Sequence, residues 1–175
     1  PAYNSQAFIR EAVQSVFDGN FESEDELIVV DDASTDDTVA AVRKLQKDHP
    51  ELTLLQHRHN RGLGVAGMNT GIEAAKNDLI FCLDHDNLLV PGCIEPLRSA
   101  AASGECDAAC FSEVRYFQDS PDGRQSRGKW VYKEGAISLA DALAGRYWPG
   151  PSGNYLFTRE SWLKAGRYDE AISPA

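Results

Sequence analysis

The chain has 175 residues, enough for one domain and short for two. It carries 17 Lys and Arg against 27 Asp and Glu, a net charge of −10, with 42% hydrophobic and 25% charged residues. That balance excludes disorder, and it argues against nucleic acid or an anionic membrane surface as a partner, because phosphate contacts need clustered basic residues.

Residues 5–18 read as a helix, with Phe8, Ile9, Ala12, Val13, Val16 and Phe17 in an i, i+4 stripe that Gly19 and Asn20 end. Residues 26–31 (ELIVVD) form a short β-branched run, a buried strand. A turn follows, where Ser34, Thr35 or Asp36 caps a helix running through Lys47 with Val39, Val42 and Leu45 inward. Residues 52–57 read as a second strand, and residues 62–76 as a Gly-rich loop passing into a helix around Met68, Ile72 and Ala75. Residues 79–84 (LIFCLD) read as a third buried strand, and Pro91 opens a helix carrying Ile94, Leu97 and Ala101. Residues 107–118 read as a strand, residues 120–123 as a turn and residues 129–133 as the returning strand. Short helices are expected at 138–144 and 160–165, with a strand at 155–158.

Strand and helix alternate through residue 105, which predicts an α/β fold: a mostly parallel sheet flanked by helices, followed by a mixed second half. The whole chain, 1–175, reads as one domain with halves at 1–105 and 106–175. It opens at Pro1 with no leading strand and closes just after a helix and turn, so it reads as a window on a longer chain that lacks its first strand and its C-terminal part.

Cys82, Cys93, Cys106 and Cys110 form no C-x-x-C pair and no zinc pattern. Cys82 and Cys110 lie in apolar runs and behave as small hydrophobes, which points to a reduced, cytoplasmic compartment. No apolar run is long enough to span a membrane, so peripheral membrane association would fall to other parts of a longer chain.

Eight carboxylates lie between Glu22 and Asp37. Glu22, Glu24, Asp25 and Glu26 read as a solvated face, whereas Asp31 and Asp32 follow a buried strand. In open α/β sheets ligands bind outside the carboxyl ends of the strands, so Asp31, Asp32, Asp84 and Asp86 should face one crevice. If the third strand continues, Asp84 and Asp86 point the same way and converge on one cation, a pattern that suits Mg²⁺ held between carboxylates, water and a diphosphate. Turn and cap carboxylates explain the same pattern, and both readings stay open. His85 reads as the intervening residue. A carboxylate only accepts hydrogen bonds, so Asp32 suits a base edge that offers N–H: uracil, thymine or guanine. Tyr3 either stacks on that base or packs in the ordinary way.

Gly62-Leu63-Gly64-Val65-Ala66-Gly67 matches G-x-G-x-x-G, the dinucleotide-binding pattern. Residues 57–61 separate it from the strand, however, and the acid twenty residues on is a D-x-D. Arg61, beside a Gly-rich helix start, suits a pyrophosphate or is a solvated surface cation. A haloacid-dehalogenase-type phosphohydrolase also places D-x-D after a strand, but continues with Gly and Thr or Val where this chain has Asn87 and Leu88. A receiver domain needs an Asp ending the next parallel strand, and residues 52–57 supply none.

Pro1-Ala2-Tyr3-Asn4, a helix, IVVDDASTDDT and then NRGLGVAGMNTGIEAAKNDLIFCLDHDNLLVPG occur in that order. This assembly resembles the nucleotide-sugar glycosyltransferases of the GT-A fold, family 2 type, densely over residues 1–97. A looser likeness covers residues 153–159 and 166–170. The resemblance implies that Tyr3 and Asp32 hold the nucleotide base and that Asp86 ligates Mn²⁺ or Mg²⁺ on the diphosphate. Asp84 would contact the metal shell or the ribose, Arg61 would lie near the phosphates, and Gly153 and Asn154 would lie on the acceptor side. An Arg usual in the family is absent at Ala66-Gly67-Met68-Asn69, and the last Asp of the usual D-x-D-D is Asn87. The implied reaction is inverting, metal-dependent sugar transfer from a nucleoside-diphosphate sugar, UDP favoured, to a hydroxyl of a saccharide, lipid-linked or other acceptor. Its carboxylate base is expected beyond Ala175, while Asp169 and Glu170 read as structural. A non-catalytic nucleotide-sugar-binding module and an NAD(P)-dependent dehydrogenase remain the alternatives.

Overall fold

A computed structural model describes residues 1–62, 64–104, 106, 108–121, 123–132, 135–138 and 155–171. Strand β1 (Leu27–Asp31) pairs in parallel with β2 (Leu52–Gln56), Leu27 opposite Leu52 and Asp31 opposite Gln56. On its other edge Ala2 bridges Asp31, also in parallel. The Ala2 N–H donates to the Val30 carbonyl at 2.8 Å, and the Ala2 carbonyl accepts from the Asp32 N–H at 2.8 Å.

Successive strand residues point to opposite faces, so Val29 and Val30 build two separate layers. Val29 joins Ile9 and Val13 of α1 (Ile9–Phe17), Val42 and Leu45 of α2 (Thr38–Asp48), Ala2 and Leu52 in one buried cluster. Val30 faces α3 (Val65–Ala74), where Gly67 and Gly71 let the helix lie close. A Cβ on Gly67 would stand 2.9 Å from the Pro1 Cβ, and one on Gly71 would stand 3.4 Å from Val30 Cγ2.

Antiparallel pairing begins with β3 (Leu79–Phe81), which pairs with β7 (Tyr155–Thr158), itself flanked by β4 (Ala108–Cys110). Ile80 and Phe157 pack with Ile72 of α3 and Trp162 of α5 (Arg159–Lys164) in a second cluster. The Thr158 hydroxyl caps α5 by accepting from the Ser161 N–H at 3.1 Å. Helix α4 (Ile94–Ala102) buries Ile94 and Leu97. Strands β5 (Glu113–Ser120) and β6 (Gly123–Val131) form a separate antiparallel hairpin. A cavity of about 210 Å³ lies between β1 and β3, lined by residues 27–30 and 79–85 with Ile9, Val13, Ile72 and Ile94.

The α/β architecture matches the sequence reading, but the mostly parallel sheet does not: among the described residues only β1 and β2 pair as parallel strands, and the other two sheets are antiparallel, because β3 takes the late strand β7 as its neighbour. Several boundaries are also corrected. Helix α1 begins at Ile9, after a turn in which the Ser5 carbonyl accepts from the N–H groups of Phe8 and Ile9, and Phe8 is exposed. The third strand stops at Phe81, because its last partner on β7 is Leu156. The strand expected over 107–118 breaks into β4 and β5 at residues 111–112, and the returning strand starts six residues earlier than its sequence suggested. Residues 139–144 of the helix expected at 138–144 lie outside the described residues.

Gly67→Ala is expected to cost about 1–3 kcal/mol in urea unfolding, since a buried ring atom blocks the new methyl. Gly71→Ala, where the approach is looser and alanine favours the helix by about 1 kcal/mol, should stay within about 1 kcal/mol of the parent.

Candidate functional site

The segment that carries Tyr3 is stitched to the turn after β1. The Asn4 N–H donates to Ser34 Oγ at 2.9 Å, and Asn4 Oδ1 accepts from the Thr35 N–H at 2.8 Å. The Ser5 N–H donates to Thr38 Oγ1 at 2.7 Å, the Gln6 N–H to Asp36 Oδ2 at 3.1 Å, and Gln6 Oε1 accepts from the Asp37 N–H at 3.0 Å. The N-cap of α2 is Asp37, not Ser34, Thr35 or Asp36, and its side chain makes no capping bond; Asp36, one residue earlier, instead accepts through Oδ1 from the Thr38 N–H at 2.9 Å. Burial pushes the Asp36 carboxyl up, but the hydrogen bonds from Thr38 and Gln6 together outweigh it and hold the group below the usual aspartate range. The bonds between the two segments fix Tyr3, which is 44% exposed, beside the end of β1.

Asp32 is 2% exposed, and residues 57–62 wrap its carboxylate. Oδ1 accepts from His57 Nδ1 at 2.7 Å and from the Arg61 N–H at 3.0 Å. Oδ2 accepts from the same Arg61 N–H and from the Gly62 N–H, both at 3.0 Å. The Asp32 carbonyl accepts from Asn60 Nδ2 at 3.1 Å. The N–H groups that a dinucleotide pyrophosphate would need at this glycine-rich turn are therefore engaged by a protein carboxylate. His57 escaped the sequence reading. Its signal was the parallel register: with Asp31 opposite Gln56, the next residue of each chain, Asp32 and His57, must also meet.

The Arg61 side chain pairs with Glu170. Asn69, buried on α3, donates through Nδ2 to Glu170 Oε1 and to the Tyr168 carbonyl, both at 2.9 Å, and its Oδ1 accepts from the Tyr168 N–H at 3.2 Å. These contacts, led by Asn69, hold the Glu170 carboxyl below its ordinary range. Glu170 is thus held by Asn69 and pairs with Arg61, the cation expected near the phosphates.

Asp84 and Asp86 lie on a turn beyond β3, closed by the Asn87 N–H donating to the Asp84 carbonyl at 3.1 Å. The strand pleat expected to align them is absent, because the ladder has already ended. Asp84 is half-buried and Asp86 exposed. Asp84 lines the cavity beside β1 together with Pro1 and Cys82. Burial pushes the Cys82 thiol up to about 11, so it is an inert neighbour. Among the described residues no three His, Cys, Asp or Glu side chains gather around a metal position. Two carboxylates on one turn are hard oxygen donors that leave most of an octahedral shell to water and phosphate, which fits Mg²⁺ or Mn²⁺ brought with a diphosphate.

A family model for glycosyl transferase family 2 matches residues 1–164. The chain belongs to glycosyl transferase family 2. It is 27% identical over 171 residues to a GalNAc(5)-diNAcBac-PP-undecaprenol beta-1,3-glucosyltransferase of Campylobacter jejuni, covering 97% of this chain and 53% of that protein. It is 32% identical over 177 residues to a chondroitin synthase of Escherichia coli, covering 100% of this chain and 24% of that one. A crystal structure of S. aureus TarS 1-349 in complex with UDP shares the fold with a TM-score of 0.72 at 18% identity, over all of this chain and 50% of that one. The mannosyltransferase PcManGT from Pyrobaculum calidifontis, solved with GDP-Man and Mn²⁺, gives 0.64 at 21%, over 98% of this chain and 46% of that one. The chain thus spans about half the length, or less, of these relatives.

Family 2 membership sets aside the dehydrogenase alternative. Gly153 and Asn154, expected on the acceptor side, lie outside the described residues, as does Trp148. Trp162 is buried, whereas Trp130 on β6 is 47% exposed and stacks on Tyr116 of β5 at 4.7 Å. The acidic stretch before β1 is only partly solvated: Asp25 pairs with Arg98, and Glu26 accepts from the N–H groups of Lys76 and Asn77. Among the described residues no helix is long and apolar enough to cross a membrane.

Asp36→Ala should cost about 0.5–2 kcal/mol of unfolding free energy at neutral pH. Because the folded-state pKa of Asp36 is depressed, that stabilisation is present above the unfolded pKa. It should vanish as pH falls through the folded value, so parent and variant urea midpoints should converge in acid.

Proposed function

We propose that this chain carries the donor site of a sugar transferase that uses a nucleoside-diphosphate sugar. The observation that carries the reading is the place of Tyr3 and Asp32 at the exit of β1, where Ala2 bridges Asp31 and its carbonyl accepts from the Asp32 N–H. Tyr3 offers an exposed ring on which a base stacks. Asp32 offers a carboxylate to a base N–H, which selects uracil, thymine or guanine, UDP being favoured. Asp84 contacts the ribose or the metal shell, and Asp86 holds Mn²⁺ or Mg²⁺. The ion stabilises charge on the leaving diphosphate. Arg61 exchanges Glu170 for a phosphate oxygen when donor binds. UDP in TarS, and GDP-Man with Mn²⁺ in PcManGT, support a nucleoside-diphosphate donor and a divalent ion.

The reaction is an inverting displacement. An acceptor hydroxyl attacks the anomeric carbon, the new C–O bond forms as the bond to the diphosphate breaks, and the hydroxyl proton passes to a carboxylate base. We assign that base to no residue among 1–175. Gly153 and Asn154 contribute to the acceptor side, where a saccharide, a lipid-linked sugar or another hydroxyl compound binds, in a cytoplasmic setting.

Calorimetric titration with UDP and GDP, with and without Mn²⁺, tests the reading. Mn²⁺ should tighten nucleotide binding, and Asp86→Ala should lose about tenfold or more in the presence of metal and little in its absence. Equal binding by parent and variant with Mn²⁺ present would contradict the metal–diphosphate site.

A further inference from the structure

His57 bridges the Asp32 carboxylate and helix α3: Nδ1 lies 2.7 Å from Asp32 Oδ1 and Nε2 lies 2.9 Å from Thr70 Oγ1. The ring is largely buried. A carboxylate accepts only, so the hydrogen between His57 and Asp32 belongs to Nδ1. Thr70 then donates to Nε2 when the ring is neutral, and accepts from it when the ring is charged.

The four contacts on Asp32 are unequal. His57 alone gives an oxygen a dedicated donor, whereas the Arg61 N–H is shared between both oxygens and the Gly62 N–H between Oδ2 and Asn60 Oδ1, each at 3.0 Å. Shared hydrogen bonds are weaker than a dedicated one and are those an incoming donor displaces. His57 therefore holds Oδ1 while the shared bonds yield. Without His57, Oδ1 loses its side-chain anchor and the carboxylate can rotate toward the loop backbone.

We infer that His57 is a positioning residue that sets the plane of the Asp32 carboxylate and thereby which base edge the donor site accepts, with Thr70 tying that setting to α3. The inference rests on the proposed reading of Asp32 as the base-facing group. It adds a specificity determinant on β2's exit and links base selection to the helix that also holds Tyr168 and Glu170 through Asn69.

The test is the ratio of UDP to CDP affinity, measured by calorimetry on the 175-residue chain with Mn²⁺. Cytosine presents a ring-nitrogen acceptor where uracil presents N–H, so the ratio reports the carboxylate and not general stability. The parent should prefer UDP, and Asp32→Asn should erase the preference. His57→Ala should shrink the ratio by about tenfold, the scale of one hydrogen bond to a charged group. His57→Asn, which restores a donor toward Asp32, should recover most of it. Thr70→Val, a milder variant that leaves His57 in place, should lower the ratio less but in the same direction. If Asp32→Asn erases the preference while His57→Ala and Thr70→Val keep the parent ratio, the role given to His57 is wrong and the reading of Asp32 stands. If the parent does not distinguish UDP from CDP, both fall together.

Discussion

A charged group removed from water must be met by donors, and the site depends on how this chain meets that requirement at Asp32. Leaving one such carboxylate uncompensated costs several kcal/mol, a large share of a domain's net stability. The chain answers by folding residues 57–62 over the carboxylate, with donors from His57, Arg61 and Gly62. That wrap sets where the glycine-rich turn lies, and hence where α3 starts. Gly62 and Gly64 adopt positive φ there, at 81° and 70°, values that glycine reaches without steric cost. The buried anion is thus an organiser of the loop before it is a candidate ligand-binding group.

Helix α3 then connects three parts of the molecule. Gly67 lets it press against Pro1, Thr70 touches His57, and Asn69 holds the backbone of Tyr168 and the carboxylate of Glu170. Donor side and C-terminal segment are therefore not independent. The ion pair between Arg61 and Glu170 spans the same boundary at the surface, where such pairs contribute little to stability and exchange partners readily. An exposed guanidinium in a pair of that kind can be recruited by a diphosphate without unfolding anything around it.

Much of this was legible in the sequence, for definite physical reasons. The β-branched run before Asp31, the Gly-rich passage into α3 and the strand at 155–158 are local patterns, and local patterns survive folding. The order of Tyr3, Asp32 and the Asp84 turn was enough to suggest a common edge. What escaped depended on partners distant in sequence. Residues 82 and 83 continue the apolar run of 79–81, yet the paired strand ends at Phe81. Trp130 lies on a hairpin that pairs with neither of the other sheets, and it is 47% exposed. His57 sat in a polar stretch with Arg58 and His59, and nothing local marked it. Its role follows from parallel register, which a sequence expresses only once two strands are known to be neighbours.

The central claim is that the exits of β1 and β3 hold a nucleoside diphosphate and its ion between Tyr3, Asp32 and the turn of Asp84 and Asp86. Anomalous diffraction from crystals grown with UDP and Mn²⁺ addresses it directly. The account predicts a manganese peak within bonding distance of an Asp86 carboxylate oxygen, about 2 Å for a small divalent ion bound by oxygen. It also predicts a uracil ring on Tyr3 with its N3–H directed at Asp32. A manganese peak away from that turn, or UDP bound with its base elsewhere, would contradict it.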